Sequence, residues 1–271
     1  MCIRDRYAYI IFHNIIISLI EFFRSKLKPF VKFIIVILLV SCEGDSKNSN
    51  IALSNFIKPE YSFKESFFNC EMAAGKTLNS VERFIPKFVD NFAKIEGGDD
   101  EELYFLFPVT EDNIETQSFD LLLKYDEVTD LDRFLLTLTS LSFDDIATCD
   151  NPKTVKNSFR LTKKVINNFP VISELLNCEY KEGYNYATMK LVIEQFTDAL
   201  VKNNSPVEIV YSEEDGSNIS FQWTNIFTSL ESRKDFVESW QALEISKEIQ
   251  EFLLEQSTCQ SSKIFSQYKV L

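Results

Sequence analysis

Histidine is almost missing from this chain. There is one in 271 residues, His13, close to the N-terminus. Beyond that position the absence removes Ser-His-Asp and Cys-His constellations, proximal-histidine haem binding and histidine-based zinc sites. General acid–base work would fall to carboxylates, lysine or tyrosine. Glycine and proline are scarce too, 6 and 7 residues. That is roughly half their usual combined share of ~12%, so turns are few and regular elements long. Positive charge is in deficit: 28 Lys and Arg face 41 Asp and Glu, a net charge of −13. This balance excludes nucleic acid as a general partner, because phosphate contacts need clustered Lys and Arg. Phenylalanine, by contrast, is abundant at 25 residues, enough to fill cores. With 45% hydrophobic and 25% charged residues the chain reads as globular, neither disordered nor collagen-like.

Residues 1–41 read as a leader outside the fold. Residues 1–6, Met-Cys-Ile-Arg-Asp-Arg, resemble a translated sequencing-adaptor remnant, and residues 1–24 are expected to be artefactual with it. The apolar stretch 7–23 is interrupted by His13, Asn14 and Glu21 and is short of the ~20 residues a membrane span needs. Residues 25–41 hold Lys26, Lys28 and Lys32, then an unbroken apolar run over 33–40, then Ser41 before Cys42. A charged n-region, a short h-region and a small residue before the cut are the features of an export signal. Leu39-Val40-Ser41-Cys42 resembles the lipobox of bacterial lipoprotein signals. The resemblance implies acylation of Cys42 and an exported protein, periplasmic or on the cell surface. Its one tie to the bacterial membrane would be the lipid, worth ~0.8 kcal/mol per buried CH₂. The alternative is an uncleaved N-terminal anchor. Residues 42–60 then form a lipidated tether. The leader carries a net +4, so the rest of the chain holds −17 of the overall −13 and repels anionic surfaces.

The remainder repeats itself, the first thing to seek in a chain of this length. Asn69-Cys70-Glu71 recurs as Asn177-Cys178-Glu179, and Gly75 as Gly183, each 108 positions later. An amphipathic helix follows each copy. Leu78, Val81, Phe84, Ile85, Phe88 and Phe92 form one apolar stripe. Tyr186, Met189, Val192, Ile193, Phe196 and Leu200 form the other. Strands are predicted over 103–109 and 207–211. Alternating strands follow, around Phe119, Leu121, Leu123 and Tyr125 and around Phe221, Trp223 and Phe227. Second helices are predicted over 131–141 and 234–254. Each half closes on Thr-Cys, at Cys149 and at Cys259.

The order strand–helix–strand–strand–helix–strand, twice over, is that of the split βαβ unit. The fold class expected is therefore α+β, with two tandem ferredoxin-like (βαββαβ) repeats over 61–150 and 169–271 and a linker over 151–168. One face of each sheet would be apolar and bare, and two tandem units can cover each other. The arrangement resembles the dimeric α/β-barrel superfamily, as an internal pseudo-dimer in a monomer. It is also similar to uncharacterised exported bacterial proteins with twofold Cys-Glu…Gly and Thr-Cys signatures. The runner-up is two ferredoxin-like domains packed by their helices without a shared barrel.

Beyond Cys2 and Cys42, four cysteines remain and allow three pairings. In the split βαβ sheet the first and last strands are antiparallel neighbours. That topology implies Cys70–Cys149 and Cys178–Cys259, and export makes oxidation reasonable. Four buried free thiols are the alternative. No metal site is expected, since no Cys-x-x-Cys spacing exists.

Other motifs are weak. Gly75-Lys76-Thr77 sits where the end of a phosphate-binding loop would, but that motif needs a glycine five positions before Gly75, where Cys70 stands. A turn glycine before a helix N-cap is the plainer reading. Gly97-Gly98-Asp99-Asp100 and Glu213-Glu214-Asp215-Gly216 read as solvated loops, the second with the carboxylates for weak Ca²⁺ binding. Glu71 and Glu179, matched between copies, read as strand-end groups before a catalytic pair. Lys153, Lys156, Arg160, Lys163 and Lys164 make a basic patch read as a solvated connector.

Two functions follow. The first is a non-enzymatic, lipid-anchored binding or interaction module of the cell envelope, with an envelope protein or unknown small ligand as partner and no cofactor. The alternative is a small-molecule binder or cofactor-independent enzyme using a cavity between the two sheets. Resemblance to barrel members implies Asn69, Tyr125, Asn177 and Trp223 as the lining of such a cavity.

Overall fold

A computed structural model describes residues 57–92, 101–110, 113–114, 117–126, 131–150, 152, 154–215, 217 and 219–270. The leader, Cys42, most of the tether and the Gly97–Asp100 loop lie outside these residues. Among the described residues, eleven strands and five α-helices follow one another. The first half holds β1 (Phe63–Met72), α1 (Leu78–Phe92), β2 (Glu102–Thr110), β3 (Asn113–Ile114), β4 (Ser118–Tyr125), α2 (Leu131–Ser140), β5 (Ala147–Cys149) and β6 (Val155–Arg160). The second holds β7 (Val171–Tyr180), α3 (Tyr186–Lys202), β8 (Glu208–Glu214), β9 (Ser220–Phe227), α4 (Leu230–Gln241), α5 (Glu244–Gln256), β10 (Ser257–Cys259) and β11 (Lys263–Lys269).

Eight of the strands close a barrel in the order β7-β11-β2-β4-β1-β6-β8-β9, with β9 returning to β7. Every neighbouring pair in it is antiparallel. Within each half the main strands lie in the order fourth, first, third, second: β6-β1-β4-β2 and β11-β7-β9-β8. The halves join where β6 meets β8 and where β11 meets β2. Closure answers the bare-face problem and leaves none of these eight strands an edge. It also corrects the runner-up architecture, because the two sheets share one barrel.

Side chains alternate across each strand, so one set points to the barrel interior and the other to the helices outside. In β1, Phe68 and Cys70 join Val81, Phe84 and Phe88 of α1 and Phe134 of α2 in one core. Burying each such ring contributes about 1.5–3 kcal/mol. Gly75 and Gly183 sit at φ +76° and +86° in the turns before α1 and α3. That left-handed backbone is what their matched positions require. Asn185 caps α3: its side chain accepts from the Thr188 N–H, and the Thr188 hydroxyl takes the Asn185 N–H. The sulfur bonds are Cys70–Cys149 and Cys178–Cys259, where β1 meets β5 and β7 meets β10.

Two elements differ from expectation. The connector read over 151–168 contains β6, the strand that carries the barrel from one half to the other. Its Lys156 and Arg160 belong to the patch read as a solvated connector, yet Lys156 is only partly exposed and Ser158 between them is fully buried. The single helix expected over 234–254 is two helices, broken at Ala242 and Leu243. Trp240 and Ile249 both pack in one core. Nine residues apart, they would face opposite ways on one straight helix of 3.6 residues per turn. The break turns both inward.

Candidate functional site

Apolar side chains fill the middle of the barrel, and a polar recess of about 220 Å³ bordered by Phe63, Glu102, Lys124 and Arg160 opens at the mouth where β1 begins. Phe63, Val171, Val210 and Ile226 gather around Ile166, and Tyr104, Leu106, Leu122, Leu175 and Phe265 around Phe67. Phe169, from the segment before β7, packs against both groups. Charged groups are interleaved with this apolar plug. Lys124 Nζ lies 3.3 Å from Glu65 Oε1, while Glu65 Oε2 accepts from Ser158 and Ser212 at 2.8 Å each. Burial would raise the Glu65 pKa, but Lys124 and the two hydroxyls hold it below the ordinary carboxylate range. Arg160 pairs with Glu208 at 2.9 Å. Nearer one mouth, burial lowers the pKa of Lys156, with Glu65, Glu214 and Asp120 offsetting only part. Burial pushes Asp120 up to about 6 against the pull of Lys263 and Lys156. These groups fix the interior rather than open it. The polar recess at that mouth, lined by Lys156, Asn177, Ser212 and Gln222 among others, measures about 180 Å³.

A different cavity lies on the outside of the second half's sheet, beneath its helices. It measures about 320 Å³ and is walled by Leu176 of β7, Phe221, Trp223 and Asn225 of β9, Phe196 of α3, Phe236 and Trp240 of α4, and Leu253 of α5. The Cys178–Cys259 bridge also borders it. Phe196 stands edge-on to Trp240, ring centres 4.8 Å apart, and lies 5.5 Å from Trp223. One polar thread reaches this apolar wall. Trp223 Nε1 donates to Asn225 Oδ1 at 2.9 Å, Asn225 Nδ2 donates to Glu174 at 3.3 Å, and Arg233 donates to Glu174 at 2.5 Å. Burial acts to raise the Glu174 pKa, and the Arg233 guanidinium outweighs it, so the carboxylate stays ionised. On the corresponding face of the first half, Phe84, Phe88, Phe105, Phe119, Phe134 and Phe143 are each at most 4% exposed. The two halves therefore differ in filling: one has a solid phenylalanine core and the other an opening.

The four residues expected to line one cavity are not brought together. Asn69 and Asn177 point to the barrel side and are exposed at strand ends. Asn177 Oδ1 accepts from Gln222 at 3.0 Å. Tyr125 is buried on the helix side of the first half, its hydroxyl 3.0 Å from that of Ser66. Trp223 alone lines the apolar cavity. Glu71 and Glu179 stand on β1 and β7, on opposite sides of the barrel, which corrects any reading of them as a pair. Sequence reasoning missed Phe196, Phe236 and Trp240 as pocket residues, because their helical spacing reads equally as core. The lining offers no His, Met, Tyr or free thiol, the side chains that would ligate a haem iron.

No family model and no curated protein matches the chain. Solved structures do. It is similar to a provisionally assigned monooxygenase from Fusobacterium nucleatum, with TM-score 0.51 and 10% identity over 79% of this chain and 94% of that one. It is similar to a variant chlorite dismutase from Candidatus Nitrospira defluvii, with TM-score 0.51 and 9% identity over 82% and 96%. A provisionally assigned chlorite dismutase gives TM-score 0.50 and 8% identity over 77% and 96%. At such identities the likeness is one of fold: α+β, a closed eight-stranded antiparallel barrel of the dimeric α/β-barrel kind, with five helices. It overturns the expectation of a non-enzymatic envelope module. The neighbours that share this fold are named as a monooxygenase and a chlorite dismutase, not as envelope interaction modules.

Proposed function

We propose that this protein binds a small, apolar, planar molecule in the cavity between β7, β9 and helices α3–α5. The carrying observation is the cavity itself: about 320 Å³ with mostly aromatic walls and a single polar thread through Asn225. Small-molecule sites have this make-up, mostly apolar with a few placed polar groups. The alternative reading of the sequence put the ligand between the sheets; the filled barrel moves it to the sheet–helix side. Phe196 already touches both Trp223 and Trp240, so a flat guest would lie against the free sides of these rings. The enzyme names of the fold neighbours support a ligand site without naming this chain's ligand.

Two further readings belong here. The chain is a duplication of one ferredoxin-like unit, expected over 61–150 and 169–271, with β6 added to the first copy as its fourth strand. The matched strand orders, the paired cystines and the 108-residue offset of Cys70 and Cys178 support it. Residues 25–41 direct export and Cys42 carries lipid, supported by the lipobox and by cystines that suit an oxidising compartment.

A thermal-shift screen of small aromatic and lipid-like compounds tests the ligand reading. Leu253→Trp, which fills the cavity from α5, is run beside the parent protein. A bound compound is expected to raise Tm in the parent and leave the filled variant unmoved. Equal shifts in both would place binding elsewhere and end the proposal.

A further inference from the structure

A second cavity, remote in character from the first, opens beside β8. It measures about 350 Å³, and its lining includes Tyr61, Tyr184 and Tyr186 and the acidic residues Glu213 and Asp215; Glu214, next along β8, turns its side chain to the barrel side towards Lys156. We infer that it is a binding site for a small organic ammonium ion, held by aromatic faces and by the Glu213 charge.

Two observations separate this place from a solvated acidic loop. The first is its aromatic wall. Tyr186 lies 5.5 Å from Tyr211 and 6.0 Å from Phe159, and Tyr61 stands edge-on to Phe159 at 6.4 Å. Tyrosine faces attract a cation within about 6 Å through the ring quadrupole. The second is Glu213 itself, only 6% exposed. The Tyr61 hydroxyl donates to it, that of Tyr211 donates at 2.6 Å, and that of Tyr180 lies against both Tyr211 and the carboxylate. These three phenols hold the carboxylate in place and leave its charge uncancelled. Among the described residues it makes no ion pair. A buried carboxylate without a cation is costly, and this one borders an open cavity. Asp215 adds to the field, and Asn157 donates to it at 3.2 Å. The phenols register that field: burial first, then the Glu213 charge, raises the pKa of Tyr61.

Lys58 also lines the cavity. It is an exposed side chain on a flexible stem and competes for the same carboxylates as a mobile, hydrated charge. An alkylated ammonium sheds water more readily and gains more from the rings. The carboxylates also set the sign of any further group on the ligand, disfavouring one that carries phosphate.

Titration calorimetry on the full chain tests the inference with choline, its neutral isostere 3,3-dimethylbutan-1-ol, and phosphocholine. Choline is expected to bind saturably, the isostere to give no binding heat, and phosphocholine to bind more weakly. Tyr61→Leu and Asp215→Asn alter exposed positions. Each is expected to weaken choline about two- to fivefold, the size of an exposed cation–aromatic contact. Glu213→Gln is expected to abolish binding; should that variant fail to fold, the two exposed substitutions decide. Equal binding of choline and its isostere, no heat from choline, or unchanged affinity in both exposed variants overturns the site. Phosphocholine binding as tightly as choline would assign it to a lipid headgroup and overturn the free-cation reading. Leu253→Trp, distant in the fold, is expected to leave choline binding unchanged, so this result and that of the apolar pocket stand apart.

Discussion

Two carboxylates facing the barrel interior, Glu65 buried and Asp120 half-buried, show how much a single residue's surroundings decide. Glu65 has a cation at 3.3 Å and two hydroxyl donors; Asp120 has lysines near it but no such contacts, and burial raises it to about 6 from 3.8. A raised carboxylate pKa means the fold resists ionisation. Below about pH 4 Asp120 is protonated in both states and costs nothing. As pH rises towards 6 the unfolded chain ionises first and stability falls, and above 6 the loss is complete. Asp120→Asn is therefore expected to be more stable than the parent at pH 7, by on the order of 1–3 kcal/mol, with the gap closing near pH 4. Urea midpoints at the two pH values check this. A less stable variant at pH 7 would show that Lys156 and Lys263 hold Asp120 as a working ion pair. None of this was legible in the sequence. Asp120 sits in an alternating strand, and alternation does not say whether its polar face meets water or the inside of a barrel.

At the scale of elements, the helices α1 and α3 were legible because each carries one clean apolar stripe. The break between α4 and α5 was not, since neither glycine nor proline marks it; two core positions half a turn out of phase force it. Strand β6 was hidden for the opposite reason. Its residues are polar, and their partners, Glu65, Ser212 and Glu208, come from β1 and β8, far along the chain. The cysteines stood out through their repetition, and the sulfur bonds lie where the outer strand of each half begins. Replacing Cys178 and Cys259 by Ala is expected to cost about 2–5 kcal/mol and to weaken ligand binding, because that bridge borders the cavity. Replacing Cys70 and Cys149 is expected to cost a similar stability and leave ligand binding intact. Denaturant melts and ligand titrations on both double variants separate the two effects. Equal loss of binding in both would mean that the pocket responds to global stability alone.

At the largest scale, the eight long strands of the described residues close into one barrel, with helices packed on the outside of each half. The order of strands and helices, with its resemblance to dimeric α/β barrels, made that architecture readable before any coordinates. The site was harder, because repetition conceals asymmetry. Two similar halves give no hint which one packs solid with phenylalanine and which keeps an opening. The cavity expected between the sheets meets a physical obstacle: Ile166, in the segment read as linker, and Phe169, just after it, pack into the middle of the barrel. The chain's two tryptophans, Trp223 and Trp240, both line the apolar pocket, so tryptophan emission reports its occupancy without any label. The deciding measurement is a titration of the full chain with 1-aminoanthracene, a flat neutral fluorophore, followed by quenching of tryptophan emission. Saturable quenching near one equivalent, lost in Leu253→Trp, is the result predicted. Emission that stays constant, or quenching that rises without saturation in both proteins, would contradict a ligand site beneath these helices.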